Sequence, residues 1–190
     1  MTTQKITINN ITALILIDVQ KGFDEPRWGK RNNKQAEKNM ERLLNAWRKT
    51  KRPIFHVKND STESDSPLRP ERPGNQIKDI VAPLKGEPVI IKTVNSALIG
   101  TTLQKDLQNK KINTVVIVGI TTDHCVSTTA RMAGNLGFKV YVVSDATTTF
   151  DRHGFNGKYY SAKEIHEMAL VSLQNEFATI TTTQSLLNAL

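Results

Sequence analysis

Six short apolar runs, most of them rich in β-branched residues, recur along the chain at helix-length intervals: Thr12–Asp18, Ile54–Lys58, Pro88–Ile91, Thr114–Gly119, Lys139–Ser144 and Ala178–Ile180. Nothing else in the sequence constrains the fold as strongly. Runs of this kind read as strands covered on both faces, and the longer polar-apolar stretches between them read as crossover helices. In Lys34–Thr50, Met40, Leu43, Leu44 and Trp47 fall at i, i+3, i+4 and i+7, one apolar stripe with charges elsewhere. Leu103–Gln108, Cys125–Leu136 and Ser161–Gln174 follow the same rule, and Gly137 stands where the third helix needs a stop. Parallel strands joined by right-handed helical crossovers predict an α/β fold, a three-layer α/β/α sandwich. A length of 190 residues suits one domain, 1–190, with a core of ordinary size.

Two irregular stretches remain, 21–33 and 59–78. The second carries Pro67, Pro70, Pro73 and Gly74. A loop this long inside a compact domain is expected to be a lid or wall of a site rather than a disordered insert. The longest apolar runs, such as Ala13–Ile17 and Val115–Val118, fall far below the roughly 20 residues that span a bilayer, so no membrane partner is expected. One cysteine and no charged-then-apolar leader over Met1–Thr12 predict a reducing, cytoplasmic setting.

In an open parallel sheet, ligands bind outside the carboxyl ends of the strands. Three reactive residues stand there: Asp18 closes the first run, Lys92 follows the third, and Cys125 opens the helix after the fourth. Taken singly, each has a plainer reading, as a turn residue, a solvated strand end and a small buried hydrophobe. Together they supply a nucleophile, a cation to favour its thiolate, and a carboxylate to take and return its proton. The helix start at Cys125 and the Lys92 charge are expected to lower the thiol pKa. Backbone N–H groups between Gly119 and Cys125 would then hold the oxyanion of an acyl-transfer intermediate.

The segments Leu-Ile-Asp18-Val-Gln-Lys-Gly-Phe, Val-Ile-Ile-Lys92-Thr-Val-Asn-Ser-Ala and Gly119-Ile-Thr-Thr-Asp-His-Cys125-Val-Ser-Thr-Thr-Ala-Arg131 together resemble the isochorismatase-like cysteine hydrolases, a superfamily that includes nicotinamidases, N-carbamoylsarcosine amidases and ureidoacrylate amidohydrolases. The resemblance runs from Thr12 to the last strand. It implies a six-stranded parallel sheet of order 3-2-1-4-5-6, an Asp18, Lys92 and Cys125 triad, a cis peptide at Ile120-Thr121, an oxyanion hole from the amides of Thr121 and Cys125, and a homodimer or homotetramer. Nicotinamidases of this superfamily carry a metal bound by an Asp and paired His after the second strand. The corresponding stretch here, Phe55-His56-Val57-Lys58-Asn59-Asp60, lacks the paired histidines, so no metal and no other cofactor is expected. His56 reads as a hydrogen-bonded core residue.

By position, Gln20, Phe23, Trp28, Asn59, Asn95, Thr122 and Phe150 are candidates for the substrate pocket, with the aromatic residues as walls. Arg131 reads as a structural ion-pair residue; His124 beside Cys125 resembles a Cys-His pair, but adjacent residues at a helix start diverge and Asp18 is the better base, while His153 and His166 have no partner suggested. The favoured function is metal-independent hydrolysis of a C–N bond in a small amide, ureide or carbamoyl compound through a thioester on Cys125. The alternatives are isochorismatase-type vinyl-ether hydrolysis, a redox sensor without a resolving cysteine, and a basic nucleic-acid-binding module.

That last alternative comes from the charge. The chain has a formal charge of +8, and 12 Lys/Arg against 4 Asp/Glu in residues 21–58 account for all of it. No nucleic-acid motif accompanies the segment, and no nucleic-acid partner is expected. Lys34, Lys38, Arg42, Arg48, Lys49 and Lys51 read as the solvated face of the first helix. Lys21, Arg27, Lys30 and Arg31 lie just after Asp18 and predict a positive approach that favours an anionic small-molecule substrate.

Overall fold

A computed structural model describes residues 6–190. Six strands form one parallel sheet: β1 (Ala13–Ile17), β2 (Ile54–Asn59), β3 (Val89–Lys92), β4 (Thr114–Ile120), β5 (Lys139–Thr148) and, near the end of the chain, β8 (Thr179–Thr181). Their order is β3-β2-β1-β4-β5-β8, the predicted order with β8 as the sixth strand. Strand direction reverses its march between β1 and β4, which opens a crevice at their carboxyl ends.

Alternation along the strands divides the core. Ala13, Ile15 and Ile17 of β1 face α2 (Leu103–Asn109), α3 (Ser127–Asn135) and α4 (Ala162–Leu173), packing with Leu103, Leu107, Ala130, Leu170 and Leu173. Leu14 and Leu16 face the opposite layer, α1 (Ala36–Lys49) and α5 (Thr183–Leu187), with Met40, Leu43, Leu44, Trp47 and Leu186. The predicted stripe of α1 is therefore its buried face, and Trp47 adds a hydrogen bond from Nε1 to the Thr12 carbonyl. Ser161 caps α4 in a reciprocal box with Glu164. Among the described residues, no helix is long and apolar enough to cross a membrane.

Four expectations change. β3 is covered on one face: Ile90 is buried, but Val89 and Ile91 are 43% and 52% exposed, because α1 does not extend over this edge strand. The helix expected from Cys125 begins at Ser127; Cys125 lies within a single π turn, Thr122–Val126, closed by Val126 N–H donating to the Thr121 carbonyl. A short antiparallel hairpin, β6 (Arg152–His153) with β7 (Tyr159–Tyr160), occupies a segment too short to show a period. Arg48 does not belong to a solvated face: its Nε and Nη2 hold the Glu87 carboxylate at 2.7 and 2.8 Å. With Lys49 it ends α1, where cations oppose the negative end of the helix dipole.

The long stretch after β2 is a packed wall. Asn75 Nδ2 donates to the carbonyls of Asn59 and Leu68 and to Asp60 Oδ1. Gly74 and Gly22 meet so closely that a Cβ at position 74 would sit 2.6 Å from the Pro67 carbonyl oxygen and 2.9 Å from Gly22 Cα. This contact fastens the wall to the turn that follows β1.

Candidate active site

β1 ends in a bend. Asp18 has φ +52°, a left-handed conformation that costs most side chains energy and is tolerated best by Asp and Asn. The bend is fixed by Asp18 N–H donating to the Val57 carbonyl and Gln20 N–H donating to the Asp18 carbonyl. Next to it, Gly119 brings β4 so near β1 that any Cβ there would lie 2.1 Å from the Ile17 carbonyl oxygen. The chain then passes through a cis peptide at Ile120-Thr121 into the turn that carries Cys125.

The three reactive residues converge. Lys92 Nζ lies 2.7 Å from Asp18 Oδ2 and 3.5 Å from Cys125 Sγ, and Asn59 Oδ1 accepts from the ammonium at 3.4 Å. Both side chains of the ion pair are buried, and neither carboxylate oxygen of Asp18 has a directed hydrogen-bond donor among the described residues. The Cys125 thiol faces Asn95 Oδ1 at 3.6 Å.

The electrostatics differ from the expectation of a lowered thiol pKa. Burial pushes the Cys125 thiol up, the Asp18 charge adds to that, and the Lys92 charge offsets only part. Burial likewise pushes the Asp18 carboxyl up against the pull of Lys92. The resting cysteine is thus a neutral thiol beside a carboxylate more basic than one in water.

Above this floor lies a cavity of about 600 Å3. Phe23, Trp28 and Phe150 form one wall, with ring centroids 5.2 to 6.2 Å apart, and Trp28 Nε1 donates to the Gly22 carbonyl. Of the predicted pocket residues, Phe23, Trp28, Asn59, Asn95 and Phe150 line the cavity; Gln20 and Thr122 do not. Gln20 is buried and bridges loops, donating to the Asn59 and Asn75 carbonyls and accepting the Asn59 N–H. Thr122 is buried against His166, its Oγ1 2.8 Å from Nδ1. Thr121 does line the cavity, and its buried hydroxyl has no partner among the described residues.

Sequence reasoning missed the other lining groups. Ser61, Ser66, Pro67 and Leu68 come from the wall after β2, whose length was the one available signal. His124 and Arg152 come from the nucleophile turn and β6, and their pairing, Arg152 Nη1 to His124 Nε2 at 2.7 Å, depends on tertiary structure. Arg131 makes no ion pair among the described residues: it hydrogen-bonds the Ser127 and Ser172 hydroxyls and stacks over Phe177.

The cations after Asp18 are largely spent on carboxylates. Lys21 lies 3.0 Å from Asp79, Arg27 pairs with Asp65, and Arg31 holds both oxygens of Glu37 at 2.8 Å. Lys30 contributes its backbone N–H, to Asp151 Oδ1.

The residues after β2 do not fit a metal ion. Asp60 Oδ1 is 3.2 Å from Lys58 Nζ and accepts from Asn75, so its charge is already matched. His56 points into the core, Nε2 against Glu87 Oε2 at 2.9 Å, as a core histidine should. Among the described residues, no group of three His, Cys, Asp or Glu side chains converges as metal ligands.

A doubly wound parallel sheet with a buried carboxylate and ammonium beside a half-buried thiol at its crevice defines a hydrolase of the α/β cysteine type. The model of the isochorismatase domain matches residues 12–185, and the chain belongs to the isochorismatase family. It is 48% identical over 176 residues to the isochorismatase family protein YrdC of Bacillus subtilis, covering 93% of this chain and 94% of that one. A solved hydrolase of the isochorismatase family from Chromobacterium violaceum superposes with a TM-score of 0.95 at 39% identity, covering 99% of this chain and 98% of that one. Nicotinamidase 3 of Arabidopsis thaliana is 27% identical over 183 residues, covering 90% of this chain and 84% of that protein.

Proposed function

We propose that this protein hydrolyses a C–N bond of a small amide, ureide or carbamoyl compound by way of a thioester on Cys125, without a metal. The observation that carries the reading is the placement of Cys125 Sγ within 3.5 Å of Lys92 Nζ, itself 2.7 Å from a buried Asp18 whose oxygens lack directed donors. A buried carboxylate whose close partners are the Lys92 ammonium and the thiol itself is placed to accept the thiol proton.

In the first half-reaction Sγ attacks the substrate carbonyl carbon while its proton passes to Asp18. The oxyanion is met by the backbone amides of Thr121 and Cys125, each donor of this kind being worth about 3 to 4 kcal/mol. Collapse breaks the C–N bond, and Asp18 returns the proton to the departing nitrogen. In the second half, water attacks the thioester and gives its proton to Asp18, the acyl product leaves, and the proton goes back to sulfur. Lys92 keeps its charge throughout, matched by Asp18 while that is ionised and by the negative sulfur, 3.5 Å from Nζ, while Asp18 holds the proton. The orphaned Thr121 hydroxyl is a ready partner for a polar atom of the substrate. Nicotinamide hydrolysis fits less well, because the residues at the relatives' metal position are engaged elsewhere.

The test is an ammonia-release screen over amides, ureides and carbamoyl amino acids, with chelator present, on wild type and Cys125→Ala. Turnover of at least one compound by wild type and none by Cys125→Ala is expected. Ammonia release that survives in Cys125→Ala would sink the thioester mechanism, and wild-type activity seen without chelator but lost in its presence would sink the metal-free claim.

A further inference from the structure

We propose that the cavity at the amino ends of β2 and β3 is a second ligand site, built around the buried Arg52, that takes a compact polyphosphate such as the triphosphate chain of a nucleotide. It shares no lining residue with the cavity above Cys125 and does not depend on the proposed hydrolysis.

The cavity has a volume of about 880 Å3 and lies where the chain enters β2 through Pro53 and β3 through the turn ending at Pro88. β2 runs for six residues from here to Asn59, so at about 3.3 Å per residue the site stands roughly 20 Å from the end of the sheet that carries Cys125.

Charge gives the first reason. Arg48, Lys51, Arg52, Lys85 and Lys110 all line the cavity. Two carboxylates oppose them, Glu87 and Asp106. Glu87 is spent on Arg48, which holds both of its oxygens. Asp106, which also accepts the Thr102 hydroxyl, is left to face the other four cations alone. None of those four has an ion-pair partner among the described residues, which hold every Asp and Glu of the chain. A cleft lined by one sign of charge focuses its field on an entering counter-ion.

Burial gives the second. The three lysines are exposed to water, but Arg52 is only 8% exposed. Its Nε donates to the Asn9 carbonyl at 3.1 Å, while the four N–H groups on its terminal nitrogens have no partner among the described residues. The end of α1 does not supply one: the carbonyls of Ala46, Trp47 and Arg48 accept the N–H groups of Thr50, Arg52 and Lys51. A buried charge is costly unless it is paired and hydrogen-bonded, so an anion entering here meets a guanidinium already stripped of water, with its donors unspent.

The class of ligand follows from the donor types. The guanidinium fork matches two oxygens of one phosphate, and lysines on flexible stems act as point charges for its neighbours. Several cations around one cavity call for a multiply charged anion. The volume suits a molecule of nucleotide size, and Leu84, 57% exposed on the rim, offers an apolar surface for a base.

The test is calorimetric titration at low ionic strength, with EDTA present, using tripolyphosphate and ATP as probes. Both are expected to bind wild type with a Kd of about 100 µM or tighter, and the tighter of the two names the source as inorganic or nucleotide. Arg52→Gln should weaken binding by at least about tenfold, the scale of hydrogen bonds to a charged group. Lys85→Gln combined with Lys110→Gln alters only exposed side chains; it should cost about fivefold and carries the test if Arg52→Gln does not fold. Lys34→Gln combined with Lys158→Gln removes the same charge from exposed positions outside both cavities and should stay within about twofold of wild type. Protein alkylated at Cys125 with iodoacetamide should bind as wild type does. No binding by wild type, unchanged affinity in Arg52→Gln or in the Lys85 and Lys110 variant, or an equal loss in the Lys34 and Lys158 variant overturns the proposal. Loss of binding on alkylation also overturns it, by placing the anion above Cys125, as does a short DNA duplex that binds more tightly than either probe.

Discussion

Lys92 Nζ lies 2.7 Å from Asp18 Oδ2 with both side chains closed off from solvent, so the pair bears on the fold as well as on the proposed chemistry. Removing one partner of a buried pair strands the other charge, at a cost of about 3 to 5 kcal/mol, whereas removing both can be nearly neutral. Lys92→Met should therefore lower the unfolding free energy by about 3 to 5 kcal/mol in urea melts. Lys92→Met combined with Asp18→Asn should regain most of that loss while remaining inactive. A double variant no more stable than Lys92→Met alone would show that the loss comes from packing rather than from the stranded carboxylate.

Gly119 sets the approach of β4 to β1, and with it the distance between Cys125 and Asp18. A Cβ there meets the Ile17 carbonyl at 2.1 Å, and the residue has φ +138°, a region that L side chains rarely adopt. Strain and overpacking act together, so Gly119→Ala is expected to cost about 4 kcal/mol or more. Gly137, with φ +85° and nothing within 4 Å of its would-be Cβ, should lose only the backbone part, about 1 to 2 kcal/mol, on the same change. Equal losses at the two sites, measured by chemical denaturation, would refute the close-approach argument.

The chain has two tryptophans, Trp47 in the core and Trp28 in the cavity wall. In a Trp47→Phe background, emission should respond when Cys125 is alkylated with an aromatic iodoacetamide, because the adduct fills the space beside Trp28. The same alkylation of Trp28→Phe, which retains Trp47, should leave emission unchanged. A response from Trp47 and none from Trp28 would place the adduct outside the cavity.

The parts of this molecule that were legible in sequence are those fixed by local pattern. A strand buried on both faces must be apolar throughout, so β1, β4 and β5 stood out, and Asp18, Lys92 and Cys125 could be placed at one end of the sheet because parallel strands share a direction. What escaped detection depends on partners distant in sequence. Gln20 has the position of a pocket residue but is held by carbonyls of Asn59 and Asn75, and the cations after Asp18 meet carboxylates from elsewhere in the chain. The two-residue strands of the Arg152 hairpin are too short to carry a period, so the cation that faces the cavity from outside the loop went unpredicted. The raised thiol pKa was out of reach for the same reason: motif position gives the neighbours of Cys125 but not the extent of its burial.

Acid should unfold this protein in two stages, and the groups responsible for each can be named. His56 and His166 are held neutral, their pKa values pushed below the usual 6.5 by burial. The unfolded chain binds a proton at each site that the folded chain refuses, so stability falls as pH drops below about 6.5, by up to about 1.4 kcal/mol per pH unit for each histidine. The second stage comes from Glu87 and Glu37. At Glu87, burial raises the carboxyl, but the hydrogen bonds of Arg48, the Leu84 N–H and His56 outweigh it and hold it at about 2. At Glu37, burial raises the carboxyl, but the hydrogen bonds and charges of Arg31 and Lys78 outweigh that and hold it at about 2, against an ordinary value of 4.5. A lowered carboxyl pKa contributes stability that is complete above 4.5 and is lost between 4.5 and about 2 as the ion pairs are protonated away. His56→Gln and His166→Gln should each flatten the stability curve between pH 6.5 and 5, and His166→Gln should leave the lower stage intact, whereas His56→Gln also removes a hydrogen bond from Glu87. Glu37→Gln should lower stability at neutral pH and abolish its share of the further loss below 4.5, leaving the share of Glu87. Urea midpoints measured from pH 7 to 3 decide the matter: a wild-type curve flat from 7 to 5 would mean that neither histidine is held neutral by the fold.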